Sequence, residues 1–354
     1  MRRWSCLCLV FMLMLGCAGC RDREENDNLT VVAGIAVDGS NGDYRLVTET
    51  LVAGGESEGG KRLLTKSSGK TLNGALLETA NLTAQQLYYT HAQTMVVSNT
   101  LAQEGLEPLL LALEQQNSFR LSLRILVAEG AAGALLSLKD PQEDSASFQL
   151  RSMADTSWHN ATSPDTALYR FLADVGTAGV QGILPMAGLR QEEETQAMEI
   201  LGTALFRDYT MVGTLNDRDS QALLWIREGA TGGLLEDENL ALTVVRCQRK
   251  ITCTPQGATI HLTLQLQELE GTGSAADVEA GAEALAVARC ERVLQLLRDC
   301  NCDAIGLGQT LMRQCPSETQ RVKESWDRDF LEYPIKITVE AQIRDQGRIK
   351  EAEK

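Results

Sequence analysis

The stretch Leu29-Thr30-Val31-Val32-Ala33-Gly34-Ile35-Ala36-Val37-Asp38, followed by Gly39-Ser40-Asn41-Gly42-Asp43 and then residues 44–52, sets the fold class. The first run is dense in aliphatic and β-branched residues, the middle carries turn chemistry, and the second run alternates, so together they predict a β-hairpin. Residues 53–60 read as a Gly- and Glu-rich loop. Residues 71–82 place Leu72, Leu76 and Ala80 at helical spacing, and residues 94–98 form a short strand. Residues 104–116 put Leu106, Leu109, Leu110 and Leu113 on one helix face, and residues 121–128 make another strand. Helix and strand alternate, the grammar of a layered domain that mixes α and β.

Farther along, residues 137–160 hold Pro141 and several acids, which predicts helix mixed with loop. Ser163-Pro164-Asp165 predicts the start of a helix running to about Val175. Short strands follow over 183–189, 197–206 and 210–215, and Asn216-Asp217-Arg218-Asp219 predicts the cap of a helix over 220–227. Residues 240–253 and 258–269 alternate around Thr254-Pro255-Gln256-Gly257 and predict an antiparallel pair. A long helix over 275–298, a shorter one over 303–315 and a closing strand over 335–343 complete the pattern. The implied division is a signal peptide at 1–19, a tether at 20–28, an N-terminal α/β region at 29–190, a middle strand-helix region at 191–235 and a C-terminal α+β domain at 236–354.

Toward the N-terminus, Met1-Arg2-Arg3 precedes an apolar run at 7–15 and then Gly16-Cys17-Ala18-Gly19-Cys20. Two cations, a short oily segment and small residues make an export signal. The run falls short of the ~20 residues a membrane-spanning helix needs, so cleavage is the expectation. A Cys directly after Ala-Gly is the pattern of a bacterial lipoprotein, whose thiol takes a diacylglycerol. Cys20 is the expected anchor, because the charged run Arg21-Asp22-Arg23-Glu24-Glu25 starts right after it, and Cys17 is the alternative.

The 354 residues include 33 Lys+Arg and 48 Asp+Glu, a formal charge of −15, and cleavage after Gly19 removes two arginines to leave −17. Such a surface argues against a nucleic-acid binder, which needs clustered cations. It also cannot hold an anionic leaflet through a basic patch. Membrane contact is left to the acyl chains, where ~0.8 kcal/mol per buried methylene makes one chain marginal and two stable.

Six further cysteines, Cys247, Cys253, Cys290, Cys300, Cys302 and Cys315, all fall in the C-terminal third. Export implies an oxidising compartment, so partial disulfide formation is expected, with free buried thiols as the alternative; the pairing is open. A metal site would want Cys-x-x-Cys pairs, and only Cys300-Asn301-Cys302 comes near, with uneven spacing.

Catalytic motifs fail one by one. Gly55-Glu56-Ser57-Glu58-Gly59 spells a nucleophile elbow but sits in an acidic loop, where flanking carboxylates oppose alkoxide formation. Ser68-Gly69-Lys70-Thr71 ends like a phosphate loop, yet Leu64 stands where its first Gly belongs. Gly306-Leu307-Gly308 meets Leu311 in place of a third Gly, and reads as a helix start or bend. Glu192-Glu193-Glu194 reads as a solvated patch, and His91 beside Tyr88 and Tyr89 as packing. The expectation is a protein without catalytic residues, metal or cofactor beyond the covalent diacylglycerol on Cys20.

The order of segments resembles the Ger(x)C family, the lipoprotein C subunits of spore nutrient-germinant receptors. Cys20-Arg21-Asp22-Arg23-Glu24 is similar to the family's Cys-Trp-Asp-x-x-Glu, and Gly34-Ile35-Ala36-Val37-Asp38 to its Gly-Ile-Gly-Ile-Asp strand. Tyr88-Tyr89-Thr90-His91, Met95-Val96-Val97-Ser98, Leu101-Ala102-Gln103-Glu104-Gly105 and Leu126-Val127-Ala128-Glu129-Gly130 follow in family order. Gly202-Thr203-Ala204-Leu205-Phe206, Met211-Val212-Gly213, Leu223-Leu224-Trp225, Asp303-Ala304-Ile305-Gly306-Leu307-Gly308, Trp326 and Pro334-Ile335-Lys336-Ile337 hold the later positions. Arg21 replaces the family's Trp, Thr90 its usual Gly, and the six C-terminal cysteines lie outside the pattern.

The resemblance implies an α+β fold of three domains, each a mostly antiparallel or mixed sheet with surrounding helices. It also implies a non-catalytic subunit on the outer face of the spore inner membrane, assembled with two integral membrane subunits, A and B, and required for nutrient-triggered germination. Its lipid-bearing Cys corresponds to Cys20. Two other functions compete: an extracytoplasmic solute-binding lipoprotein, which predicts two similar lobes around an aromatic-lined pocket, and a lipoprotein hydrolase using Ser57.

Overall fold

The structure is a computed structural model that describes residues 29–52, 61–83, 86–115, 119–138, 145–165, 167–192, 195–238, 240–271 and 274–344. The opening hairpin forms as expected: β1 (Leu29–Ser40) pairs antiparallel with β2 (Asp43–Val52), Asp38 opposite Arg45 and Ala36 opposite Val47. β2 then pairs with β3 (Lys61–Gly69), a strand the sequence reading did not anticipate. β3 is an edge strand with little apolar alternation, and its Leu63 and Leu64 are exposed.

On its other side β1 runs parallel to β5 (Thr94–Ser98), which is parallel to β6 (Arg124–Ala128), and β6 is parallel to β7 (Ile183–Glu192). β4 (Gln86–Tyr88) adds a short parallel contact to β1. β8 (Thr195–Arg207) and β9 (Thr210–Leu215) continue antiparallel, so the order is β3-β2-β1-β5-β6-β7-β8-β9. The boundary expected at residue 190 therefore falls inside the β7–β8 hairpin. The strands of residues 29–215 build one nine-stranded sheet. Alternation within a strand reports its two faces and is silent about its lateral neighbours, so the continuity of the sheet was hidden.

Helices cover both faces of this sheet, which is why its central strands read as unbroken apolar runs. One face packs on α1 (Leu72–Leu82), α2 (Asn99–Glu104), α3 (Glu107–Gln115) and, later in the chain, α6 (Leu168–Val175), through Ile35, Val37, Leu76, Leu101, Leu109 and Phe171. The other face packs on α4 (Ala132–Ser137) and α5 (Ala146–His159) through Ala36, Val96, Leu126, Leu136 and Leu150. The helix expected over 104–116 forms as α3 and starts at Glu107, and a separate short helix, α2, precedes it. Gly105, at φ 114°, ends α2, and Pro108 sits in the first turn of α3. Asp165 does not start α6; it is drawn off by Arg124 at 2.7 Å and Arg170 at 3.0 Å.

α7 (Asp217–Glu228) begins where its caps predict, Asn216 accepting from the Asp219 N–H at 2.8 Å, and ends at Gly229 in the left-handed region. A second, four-stranded sheet follows, β10 (Leu234–Glu236), β11 (Leu240–Thr254), β12 (Gly257–Gly271) and β13 (Ile335–Ile343); β10 to β12 are antiparallel and β12–β13 parallel. α8 (Ala275–Asp299), started by a Ser274/Asp277 capping box, packs against it. α9 (Leu307–Gln314) and α10 (Thr319–Glu332) complete the chain's helices among the described residues. The fold is thus α+β, with two mixed sheets.

Candidate functional site

Cys20 and Cys17, like Ser57, Glu193 and Glu194, lie outside the described residues. Among the described residues no helix is long and apolar enough to cross a membrane, and no three His, Cys, Asp or Glu side chains converge to hold a metal ion. His91 is exposed and stacks on Tyr88 with ring centroids 5.9 Å apart. Thr71 of the phosphate-loop look-alike is the N-cap of α1, accepting from Gly74 N at 3.0 Å.

All six C-terminal cysteines are free thiols in the structure. Cys247 and Cys253 share a face of β11 but stand six residues apart, ~20 Å along a strand, far beyond the ~7 Å Cα limit for a bridge. Cys302 donates its thiol to the Phe206 carbonyl at 3.1 Å, and Cys253 faces the Leu307 carbonyl at 3.8 Å. Burial pushes the Cys247 and Cys290 thiols up to about 12 and that of Cys253 to about 11, so these are inert packing groups at neutral pH.

The polar residues with the most structural consequence are three buried or half-buried acids that the sequence reading passed over. Glu49, on β2, is wholly buried. It accepts from the Ala146 N–H at 3.0 Å and the Ser147 N–H at 2.9 Å in the first turn of α5, and from Arg62 Nε at 2.5 Å. Asp38, at the end of β1, takes the Ala132 and Gly133 N–H groups at 2.7 and 2.8 Å and so starts α4. In each case a carboxylate from the hairpin sits at the positive end of a helix, locking sheet to helix.

Asp303 performs the same role where the two sheets meet. It accepts from Gly306 and Gly308 N–H at 2.9 Å each and from the Trp326 indole N–H at 2.8 Å. Burial pushes its carboxyl above the ordinary range while these donors pull it down. The same loop receives the Gln181 N–H on the Asp303 carbonyl at 3.0 Å, and Gly179 accepts from Gln309 N–H at 2.8 Å. Arg227 crosses the seam: it donates to Asp174 at 2.5 Å, to the Gln181 carbonyl at 3.2 Å and to the Ala304 carbonyl. Burial raises the Asp174 carboxyl, and Arg227 opposes that shift.

This seam is a hydrogen-bonded joint and has no paired nucleophile and base among the described residues. A cavity of about 730 Å³ lies elsewhere, at the carboxyl ends of the parallel strands, and is lined by Asp38, Arg45, Lys66, Glu78, Ser98 and Gly130 among others. A smaller one of about 550 Å³ opens along the seam beside Arg227 and Arg249.

Comparison with known proteins bears on the whole chain. Residues 22–189 match the family described as Spore germination protein N-terminal domain, and residues 201–347 the family described as Spore germination B3/GerAC like, C-terminal. Spore germination protein KC of Bacillus subtilis (strain 168) is 22% identical over an alignment covering 97% of this chain and 96% of that protein. Spore germination protein YndF of the same strain is 22% identical over 99% and 98%, and spore germination protein GerQC of Bacillus cereus 20% identical over 62% and 59%. The crystal structure of the GerBC protein superposes with a TM-score of 0.58 at 15% sequence identity, covering 88% of this chain and 96% of that one, so the two share a fold.

Proposed function

The chain belongs to the Ger(x)C family of spore germination proteins, and on that premise we propose that it is the lipid-anchored C subunit of a nutrient-germinant receptor. The observation that carries the reading is the succession of the two spore-germination domain families, N-terminal then C-terminal, over residues 22–189 and 201–347. The subunit is held through a diacylglycerol on Cys20 at the outer face of the spore inner membrane and works beside two integral membrane subunits, A and B. It is a scaffold or signalling component without catalytic residues. Confinement to one membrane surface raises the effective concentration of partners, so modest pairwise affinities suffice for assembly. The rival solute-binding lipoprotein calls for two similar lobes. A nine-stranded and a four-stranded sheet of different topology do not supply them.

Replacing Cys20 with Ala tests the proposal. The variant is expected to fold, to leave the membrane fraction for the soluble one, and to slow nutrient-triggered germination of spores that carry it, while Cys17→Ala changes none of these. Membrane retention of Cys20→Ala with loss of retention in Cys17→Ala would move the anchor. Normal germination without the chain would refute the receptor role.

A further inference from the structure

We propose that the crevice at the carboxyl ends of β1, β5 and β6 binds a small molecule through an oxyanion group, a carboxylate or a phosphate, held by Arg45 and Lys66. The inference is independent of how the chain is anchored. It begins with topology. β5 and β6 are adjacent and parallel, but the chain leaves β5 for α2 and α3 on one face of the sheet and leaves β6 for α4 and α5 on the other. Where successive connections depart to opposite faces, the loops splay and leave a crevice outside the strand ends, the usual ligand position in open α/β sheets. The cavity of about 730 Å³ lies there, between Ser98 and Thr100 after β5 and Gly130 to Ala134 after β6. Its size suits a small molecule.

Charge decides what kind. Asp38, Arg45 and Ser68 stand in one row across β1, β2 and β3, and Val47 and Lys66 in the next, so Arg45 and Lys66 are diagonal neighbours on the face that carries α4. Both carboxylates lining the crevice are committed. Asp38 holds the first N–H groups of α4, and Glu78 accepts from the Ser68 N–H and hydroxyl. Arg45 and Lys66 are exposed, and their side chains make no hydrogen bond or ion pair with any described residue. In a chain of net charge −15, a cavity lined by two cations and two carboxylates is locally neutral, and of these four only the cations have side chains without a described partner. At physiological ionic strength, with screening over ~8 Å, the local charges outweigh distant acids. A guanidinium offers a planar fork to an oxyanion and an ammonium a mobile point charge, a combination suited to carboxylate and phosphate alike.

The test uses the full chain purified in detergent, titrated calorimetrically with inorganic phosphate in one arm and succinate in the other. Saturable binding with Kd of ~1 mM or tighter is expected in at least one arm, and the arm that responds identifies the oxyanion. Arg45→Ala with Lys66→Ala is expected to weaken that binding at least about tenfold, a loss near 1.4 kcal/mol, while the charge-preserving Lys66→Arg retains it. Both side chains are exposed, so a far-ultraviolet circular dichroism spectrum like that of the wild type is expected for the variants; the single Lys66→Ala serves if the double variant misfolds. Absence of saturation in both arms, or a charge-deleted variant that binds as the wild type does, would overturn the assignment.

Discussion

Gly34 stands directly opposite Glu49 across the β1–β2 pair, and the space that Gly34 leaves empty is filled by Ser147. A Cβ on Gly34 would fall 2.1 Å from Ser147 Oγ, the hydroxyl that donates to the Glu49 carboxylate. The glycine is what lets α5 approach closely enough for its first N–H groups to reach that buried acid. Gly34→Ala is therefore expected to cost about 1–3 kcal/mol by overpacking. Glu49→Gln is expected to cost about 3–5 kcal/mol, because it strands Arg62 against two helix-end carbonyls without its counter-charge. Equilibrium urea unfolding measures both; a Glu49→Gln variant within ~0.5 kcal/mol of the wild type would remove this pair as the anchor of α5.

Trp326 and Asp303 form the corresponding lock in the second half. Trp326→Phe keeps the packing but removes one of three donors from the buried carboxylate, an expected loss of about 1–3 kcal/mol. Asp303→Asn is expected to cost more, since its amide must turn a donor toward groups that are themselves donors. An equal effect from the two variants would mean that the backbone contacts to Gly306 and Gly308 contribute nothing.

Arg227 is the side chain that ties loops of both halves together. Arg227→Met keeps the aliphatic stem and removes the bonds to Asp174, Gln181 and Ala304, with an expected cost of about 1.5–3 kcal/mol, the range for a hydrogen bond to a charged group. Calorimetry is expected to split one unfolding transition into two, one for each sheet. A single transition at lower temperature would show that the shared core around Ile183, Leu205 and Leu215 couples the halves without it.

Much of this was legible from residue pattern and some was not, for physical reasons. β13 and α8 were readable because one face of each is buried and the period survives intact. α10 carries Val322, Trp326 and Phe330 at helical spacing, a signal that was present but diluted by seven charged residues among its fourteen. β3 gave little signal because an edge strand buries almost nothing. Asp38 and Glu49 act through backbone N–H groups 94 to 98 residues away in sequence, which no local motif announces, and Asp303 through those three and five residues on. Asp38 and Asp303 stood in the family-like stretches, yet their roles came only from geometry. The crevice was equally invisible, since it depends on which face each helix takes after its strand.

The free thiols lead to the last prediction. Alkylation of the unfolded protein without reductant is expected to modify all six C-terminal cysteines, and in the folded protein Cys300 and Cys315 first, as the half-exposed pair. The buried thiols also set a pH dependence. Cys247, Cys253 and Cys290 ionise near 9.0 when unfolded and at about 12, 11 and 12 when folded. Between those values the folded state binds more protons than the unfolded state, so raising the pH favours unfolding. Their contribution is complete below about pH 9 and is lost as pH climbs toward 11 and 12, with a slope of up to about 1.4 kcal/mol per pH unit for each thiol. Cys290→Ala is expected to flatten the alkaline limb by one such increment, whatever it does to stability at neutral pH. Tyr333 and Tyr89 share the same upward shift, which is why the change in slope, and not the slope itself, isolates the thiol. An unchanged limb, together with fewer than six alkylated cysteines, would mean that Cys290 is oxidised in the folded protein and has no proton to lose.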